Sequence, residues 1–180
     1  MSRRISSPLP EVVLQAERDI SARLRGQRFD FTAMSAISNV YRAGTAVRNH
    51  MERTVLGEYQ LSWVAFTVLW VLWIWGIQET GHVAEEAGVT KGTLTGVIKT
   101  LQSRKLIRRI PHKDDRRRVS IGLTTAGERL IEDLFPSFNR HEQEAVRMLT
   151  DAEQRALARL LRKITQAVNE TAIKSPGDQN

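Results

Sequence analysis

Over residues 32–56 the apolar positions recur at steps of three and four, with Met34, Ile37, Tyr41, Gly44, Val47 or Arg48, Met51 and Val55 falling on one side. That period predicts a long amphipathic helix. A break carrying Gly57 follows over residues 54–59. Residues 61–77, LSWVAFTVLWVLWIWGI, then run 17 positions without a charge. A membrane span needs about 20 apolar residues and favours Lys or Arg at its flanks. This run is shorter and sits between Glu58 and Glu79, so a central helix buried on all sides is the better reading. Trp63, Phe66, Trp70 and Trp73 step along it as an aromatic stripe. Such a stripe serves either as core packing or as the wall of a ligand cavity.

Shorter patterns fill the rest. Residues 10–25 predict a short helix with Val12, Val13, Ala16 and Ile20 on one side, ended by Gly26. Gly76 stops the apolar helix. Thr80 is placed to cap a helix over 81–87, Gly88 suits a left-handed turn, and Thr90 caps a second helix over 91–104. Leu94, Val97, Ile98 and Leu101 form the apolar side of that second helix. Residues 106–110 and 119–123 have strand character, with HKDDRRR as the tip between them. Thr124 and Thr125 offer a cap for a helix from residue 126, which Pro136 should break or kink. Thr150 and Glu153 have capping-box spacing. They open a last helix striped by Leu157, Leu160, Leu161, Ile164, Ala167, Val168 and Ala172. The ends of the chain, residues 1–10 and 175–180, are polar and expected to be disordered.

Two short helices joined by AGVT and followed by a two-stranded basic ribbon make the winged helix-turn-helix arrangement. The expected fold is therefore mainly α with a small antiparallel β-wing. Charge sharpens this reading. The chain carries a formal net +7. Residues 80–124 hold ten basic against four acidic residues, so a quarter of the chain carries nearly all of that charge. A basic patch of this kind suits a polyanion such as DNA. The second helix enters the major groove by its N-terminal turns, where Thr90, Lys91, Gly92, Thr93 and Thr95 stand. Small residues let the backbone approach, and threonine offers a hydroxyl to phosphate and a methyl to thymine. Lys91 and Lys99 supply charge toward phosphate. On the ribbon tip, Arg116, Arg117 and Arg118 are candidates for the adjacent minor groove. Asp115 is the residue expected to pair with an arginine and structure the wing.

The stretch HVAEEAGVTKGTLTGVIKTLQSRKLIRRIPHKDDRRRVSIGLTTAGERLIE resembles the multiple-antibiotic-resistance regulator (MarR) family. The reading segment matches at Ala84, Gly88, Val89, Thr90, Thr93 and Thr95. The helix exit matches at Leu101, Leu106 and Arg109, the wing at Asp115 and Arg117, and the return at Leu123, Thr124 and Gly127. Lys105 departs from the pattern, standing where the family usually has glycine. The resemblance implies an intertwined homodimer, with residues 32–60 and 126–174 as the dimerisation region and 61–125 as the DNA-binding unit. Residues 1–31 are then an N-terminal extension. The apolar stripes of the long helices support the dimer independently, because they exceed what a 45-residue reading unit can bury. A two-fold dimer reads a pseudo-palindromic double-stranded operator with half-sites about 34 Å apart or a multiple of that. The resemblance further implies repression in the cytoplasm, relieved by a small aromatic carboxylate or phenol. Tyr41, Arg48, His50, Trp63, Phe66 and Trp70 are the candidates for holding such an effector.

Other classes are weakly supported. The chain has no cysteine, which removes disulfides, thiol catalysis and the cysteine-based oxidation sensing known in the family. It has no phosphate loop, nucleophile elbow or HExxH, so no enzyme is expected and no cofactor is called for. The four histidines, at 50, 82, 112 and 141, show no ligand spacing, so no metal is expected either. The competing functional reading is a ligand-independent architectural DNA-binding protein.

Overall fold

A computed structural model describes residues 13–111 and 119–174. It is mainly helical, with a small antiparallel sheet. The chain divides into two compact units at Val47/Arg48. In the first unit, α1 (Gln15–Arg23) is followed by α2 (Phe31–Arg53), whose last turns belong to the second. Asp30 opens α2, its carboxylate accepting the Ala33 N–H at 2.9 Å. Glu17 caps α1 by accepting the Leu14 N–H, and ties the two helices together by accepting from the Ser35 hydroxyl and the Asn39 amide. Those donors, the Ser35 hydroxyl foremost, hold its carboxyl below the usual carboxylate range.

The second unit is organised around α4 (Trp63–Trp75), and α3 (Val55–Glu58) is a single turn before it. The helix starts where expected because two side chains cap it. Ser62 accepts the Ala65 N–H at 3.2 Å, and Glu52 accepts the Trp63 N–H at 2.7 Å. Ala65, Phe66, Val68, Leu69, Val71 and Leu72 are buried. α4 packs against α5 (Thr80–Glu86), α6 (Lys91–Ser103), β3 (Val119–Leu123) and α7 (Thr125–Ala145). Among the described residues, no single helix is long and apolar enough to cross a membrane.

The sheet has one strand more than the sequence pattern predicts. β1 (Gln78–Glu79) lies beside β3, which pairs on its other side with β2 (Ile107–Pro111), all antiparallel. The register sets Arg109 opposite Ile121 and Gln78 opposite the same residue. A two-residue strand has no alternation to read, which is why the pattern missed it. Two further expectations are corrected. Thr80 is the first residue of α5 rather than its cap, and Glu79 at the cap position makes no side-chain capping bond. Pro136 does not break α7, which runs through it to Ala145. Pro136 is exposed while Leu134 and Phe138 around it are buried. The missing N–H therefore falls on the solvent side, and packing on the other side carries the helix across. The capping box at Thr150 and Glu153 forms as expected and opens α8 (Asp151–Lys174).

One junction fixes how the wing leaves α6. Lys105 adopts φ +57°, the left-handed turn for which glycine is the usual residue. Its carbonyl accepts the Thr124 hydroxyl at 2.6 Å, and the Leu106 carbonyl accepts the Thr124 N–H at 3.0 Å. Thr124 in turn accepts the Gly127 N–H at 3.1 Å and so caps α7. Gly127 lies so close to this turn that a Cβ there would sit 2.0 Å from the Leu106 carbonyl oxygen. Gly127→Ala must therefore push α7 away from the wing root, and is expected to cost about 3 kcal/mol. Lys105→Gly relieves the left-handed strain and is expected to stabilise by about 1 kcal/mol. Urea unfolding of the two variants beside the parent chain measures both.

Candidate nucleic-acid interface

α5 and α6 form the helix-turn-helix, with Gly88 at φ +61° in the turn between them. α6 is two-sided, as its spacing predicts. Leu94, Ile98 and Leu101 are buried against the rest of the unit. Thr90, Lys91, Gly92, Thr93, Thr95 and Lys99 are all exposed on the other side. The threonines do structural work as well. Thr90 accepts the Thr93 N–H at 3.2 Å as the helix cap, and the two hydroxyls lie 3.1 Å apart. Thr95 donates its hydroxyl to the Lys91 carbonyl at 2.8 Å. Its proton is thus committed to the helix backbone.

The glycines on this face are informative. Gly92 and Gly96 are one helical turn apart and exposed. A Cβ at Gly92 would meet only the Thr90 hydroxyl at 3.8 Å, and at Gly96 it would meet nothing within 4 Å. Gly96, in the helix interior, costs about 1 kcal/mol against alanine, and Gly92 stands in the first turn. Packing among the described residues supplies no reason for either.

Beside this face lies a cleft of about 290 Å³ lined by Thr80, Lys91, Leu94, Thr95, Arg109 and Val119, among others. It brings a strand cation, Arg109, to the same groove as Lys91 and Thr95. Arg108 is exposed on the same strand. Neither arginine was among the sequence-predicted DNA contacts, although both belong to the basic run that follows α6. One cation of that run has a different task. Arg104 donates to the Tyr59 and Gln60 carbonyls, both at 2.8 Å, and pins the end of α6 to the turn before α4. Arg116, Arg117, Arg118 and Asp115, the expected wing-tip residues, lie outside the described residues.

The aromatic candidates are packed against one another. Phe66 is buried and stacks on Phe138 at 4.1 Å between ring centroids, while Trp70 stacks on Phe135 at 4.7 Å. Trp63, half-buried, lies 6.1 Å from Phe138. The stripe on α4 thus meets a second one on α7, formed by Phe135 and Phe138. That partner was hidden in the sequence by Pro136 between them. Tyr41 is 73% exposed. Arg48 is also exposed, whereas His50 is half-buried with its ring edge-on to His141 at 5.2 Å.

Comparison with known proteins agrees with this geometry. The model of the MarR family matches residues 61–119. The chain is 38% identical over 145 residues to the uncharacterized HTH-type transcriptional regulator YwaE of Bacillus subtilis, covering 81% of this chain and 85% of that one. Among solved structures, BpsR of Bordetella bronchiseptica is 28% identical with a TM-score of 0.68, covering 73% of this chain and 98% of that one. AbsC of Streptomyces coelicolor, a MarR family regulator, shares the fold at 17% identity and a TM-score of 0.70, over 80% of this chain and 99% of its own. The two-sided reading helix, the basic ribbon root beside it and these relatives together lead to one conclusion: the chain belongs to the MarR family of helix-turn-helix transcriptional regulators, which are DNA-binding proteins and not enzymes.

Proposed function

We propose that the protein is a homodimeric repressor that reads a pseudo-palindromic operator and is released from it by a small aromatic acid. The observation that carries the DNA-reading part is the exposed face of α6. Gly96 lowers helix stability, neither glycine meets a close neighbour among the described residues, and the two leave the backbone open between Lys91, Thr93, Thr95 and Lys99. A helix meant to lie in a major groove needs such a face. Lys91 and Lys99 reach for phosphates, Arg109 supports them from the ribbon root, and Arg116, Arg117 and Arg118 serve the minor groove beside it.

The dimer rests on unspent apolar surface. No residue of α8 up to Thr171 is buried within one chain, although the helix is striped. Leu157, Leu160 and Val168 are exposed, Leu160 by 50% and Val168 by 61%. Exposed apolar patches of this length are characteristic of interfaces, and a second copy is the simplest cover. Leu160→Glu is expected to shift the protein from dimer to monomer at micromolar concentration in sedimentation velocity. An unchanged dimer would remove α8 from the interface.

The effector part is supported by BpsR, whose DNA binding is regulated by 6-hydroxynicotinic acid. The aromatic wall of Trp63, Phe66 and Trp70, with Arg48 and His50 on the last turns of α2, is the proposed region for an aromatic carboxylate.

The experiment is fluorescence anisotropy with the gene's own upstream DNA and with random DNA across a salt series, followed by addition of aromatic acids. The expected result is tight, selective binding that an acid reverses. Tight binding without selectivity would indicate an architectural DNA-binding protein instead. Lys91→Ala and Arg109→Ala are each expected to weaken binding and to lower the salt slope by about one. Arg117→Ala should weaken it as well.

A further inference from the structure

The last turn of α2 and the C-terminal half of α7 bring His50 beside two side chains 91 and 94 positions further along the chain. His50, His141 and Glu144 each offer one ligand atom, and these atoms all lie within 4.8 Å of one another. Three further facts distinguish this cluster from a chance meeting of surface groups. His141 Nδ1 is buried and makes no hydrogen bond of good geometry among the described residues. That nitrogen stands 3.2 Å from Glu144 Oε2. Zinc bonds of about 2.0–2.1 Å in a tetrahedron place neighbouring ligand atoms about 3.3 Å apart, so this edge already has nearly the right length. The two imidazole rings meet edge-on at 71°, and a ligand nitrogen of each lies within 4.8 Å of the other. His141 and Glu144 are one helical turn apart on α7, so one helix supplies two ligands and α2 supplies the third.

We propose that His50, His141 and Glu144 form a binding site for one divalent transition-metal ion of the zinc class. Two neutral imidazoles and one carboxylate are a borderline donor set that suits zinc and its neighbours better than calcium or magnesium, which prefer oxygen. Three protein ligands leave a fourth position for water or for an oxygen of another molecule. The ion is held between the His141 nitrogen and the Glu144 carboxylate and clips the end of α2 to α7. The site uses no residue of α6 or the ribbon. It is therefore tested on the free protein, independently of DNA reading.

The untagged chain, stripped with a chelator, is titrated with Zn2+ against a fluorescent zinc indicator. One ion per chain is expected, with a rise in melting temperature on binding. His50→Ala, His141→Ala and Glu144→Gln should each weaken the affinity by at least about tenfold and abolish the rise, while His82→Ala should leave both unchanged. Glu144 is exposed, 61% by its side chain, so Glu144→Gln keeps the test valid if a histidine variant fails to fold. Cobalt substitution gives a second readout. An intense visible spectrum that the three variants lose supports the site. Zinc held equally well by Glu144→Gln and the folded histidine variants, or the absence of saturable one-to-one binding, overturns the proposal.

Discussion

The burial of α4 governs the second unit. A helix of thirteen residues with no charged side chain has little surface to give to water, and only its C-terminal end, Ile74 and Trp75, is exposed. It must be wrapped, and α5, α6, β3 and α7 do the wrapping. Because the reading helix and the middle strand of the sheet both pack on this one helix, their mutual orientation follows from how their side chains fill its surface. The aromatic ladder from α4 to α7 works in the same way. Large planar rings have few ways to interlock, so Phe66 on Phe138 and Trp70 on Phe135 hold α7 in one register against α4.

Around that core, polar groups set directions that packing alone leaves loose. Arg104 closes the end of α6 onto the Tyr59 and Gln60 carbonyls, and Thr124 gathers the Lys105 and Leu106 carbonyls at the start of α7. Both contacts sit at the exit of the reading helix. Between them stands Lys105 in a left-handed conformation that a lysine tolerates poorly. The contact between Gly127 and Leu106 leaves no room for that turn to relax. Local strain and close approach thus lie directly between α6, the proposed reading helix, and the ribbon beside it. That is where a change of angle would alter the spacing of the two.

The exposed face of α6 and the exposed stripe of α8 are two kinds of unfinished surface. On α6 the side chains are small, and cations surround open backbone, which suits a charged, grooved partner. On α8 the residues are branched and apolar, which suits another helix. A regulator of this family needs both surfaces, one for DNA and one for its own second copy.

Local chemistry repeated along the chain was enough to determine a good deal. The period of three and four located α2, α4, α6 and α8, because one side of each helix has to be apolar or, for α4, every side. Thr90, Thr124 and the Thr150 and Glu153 pair marked helix starts, because an orphaned N–H needs a nearby acceptor whatever the fold. The concentration of lysine and arginine over residues 80–124 pointed to DNA before any geometry was known. Tertiary structure decided what depends on distant neighbours. β1 exists only because β3 has a free edge beside Gln78 and Glu79. Pro136 is tolerated because its vacant side faces water. Arg104 became a clamp because two carbonyls 44 and 45 residues earlier converge on it. His50 and His141, 91 positions apart and without ligand spacing in sequence, meet only because α2 and α7 meet. Spacing along a chain reports on partners one or two turns away, whereas a site assembled from two helices is written in their packing.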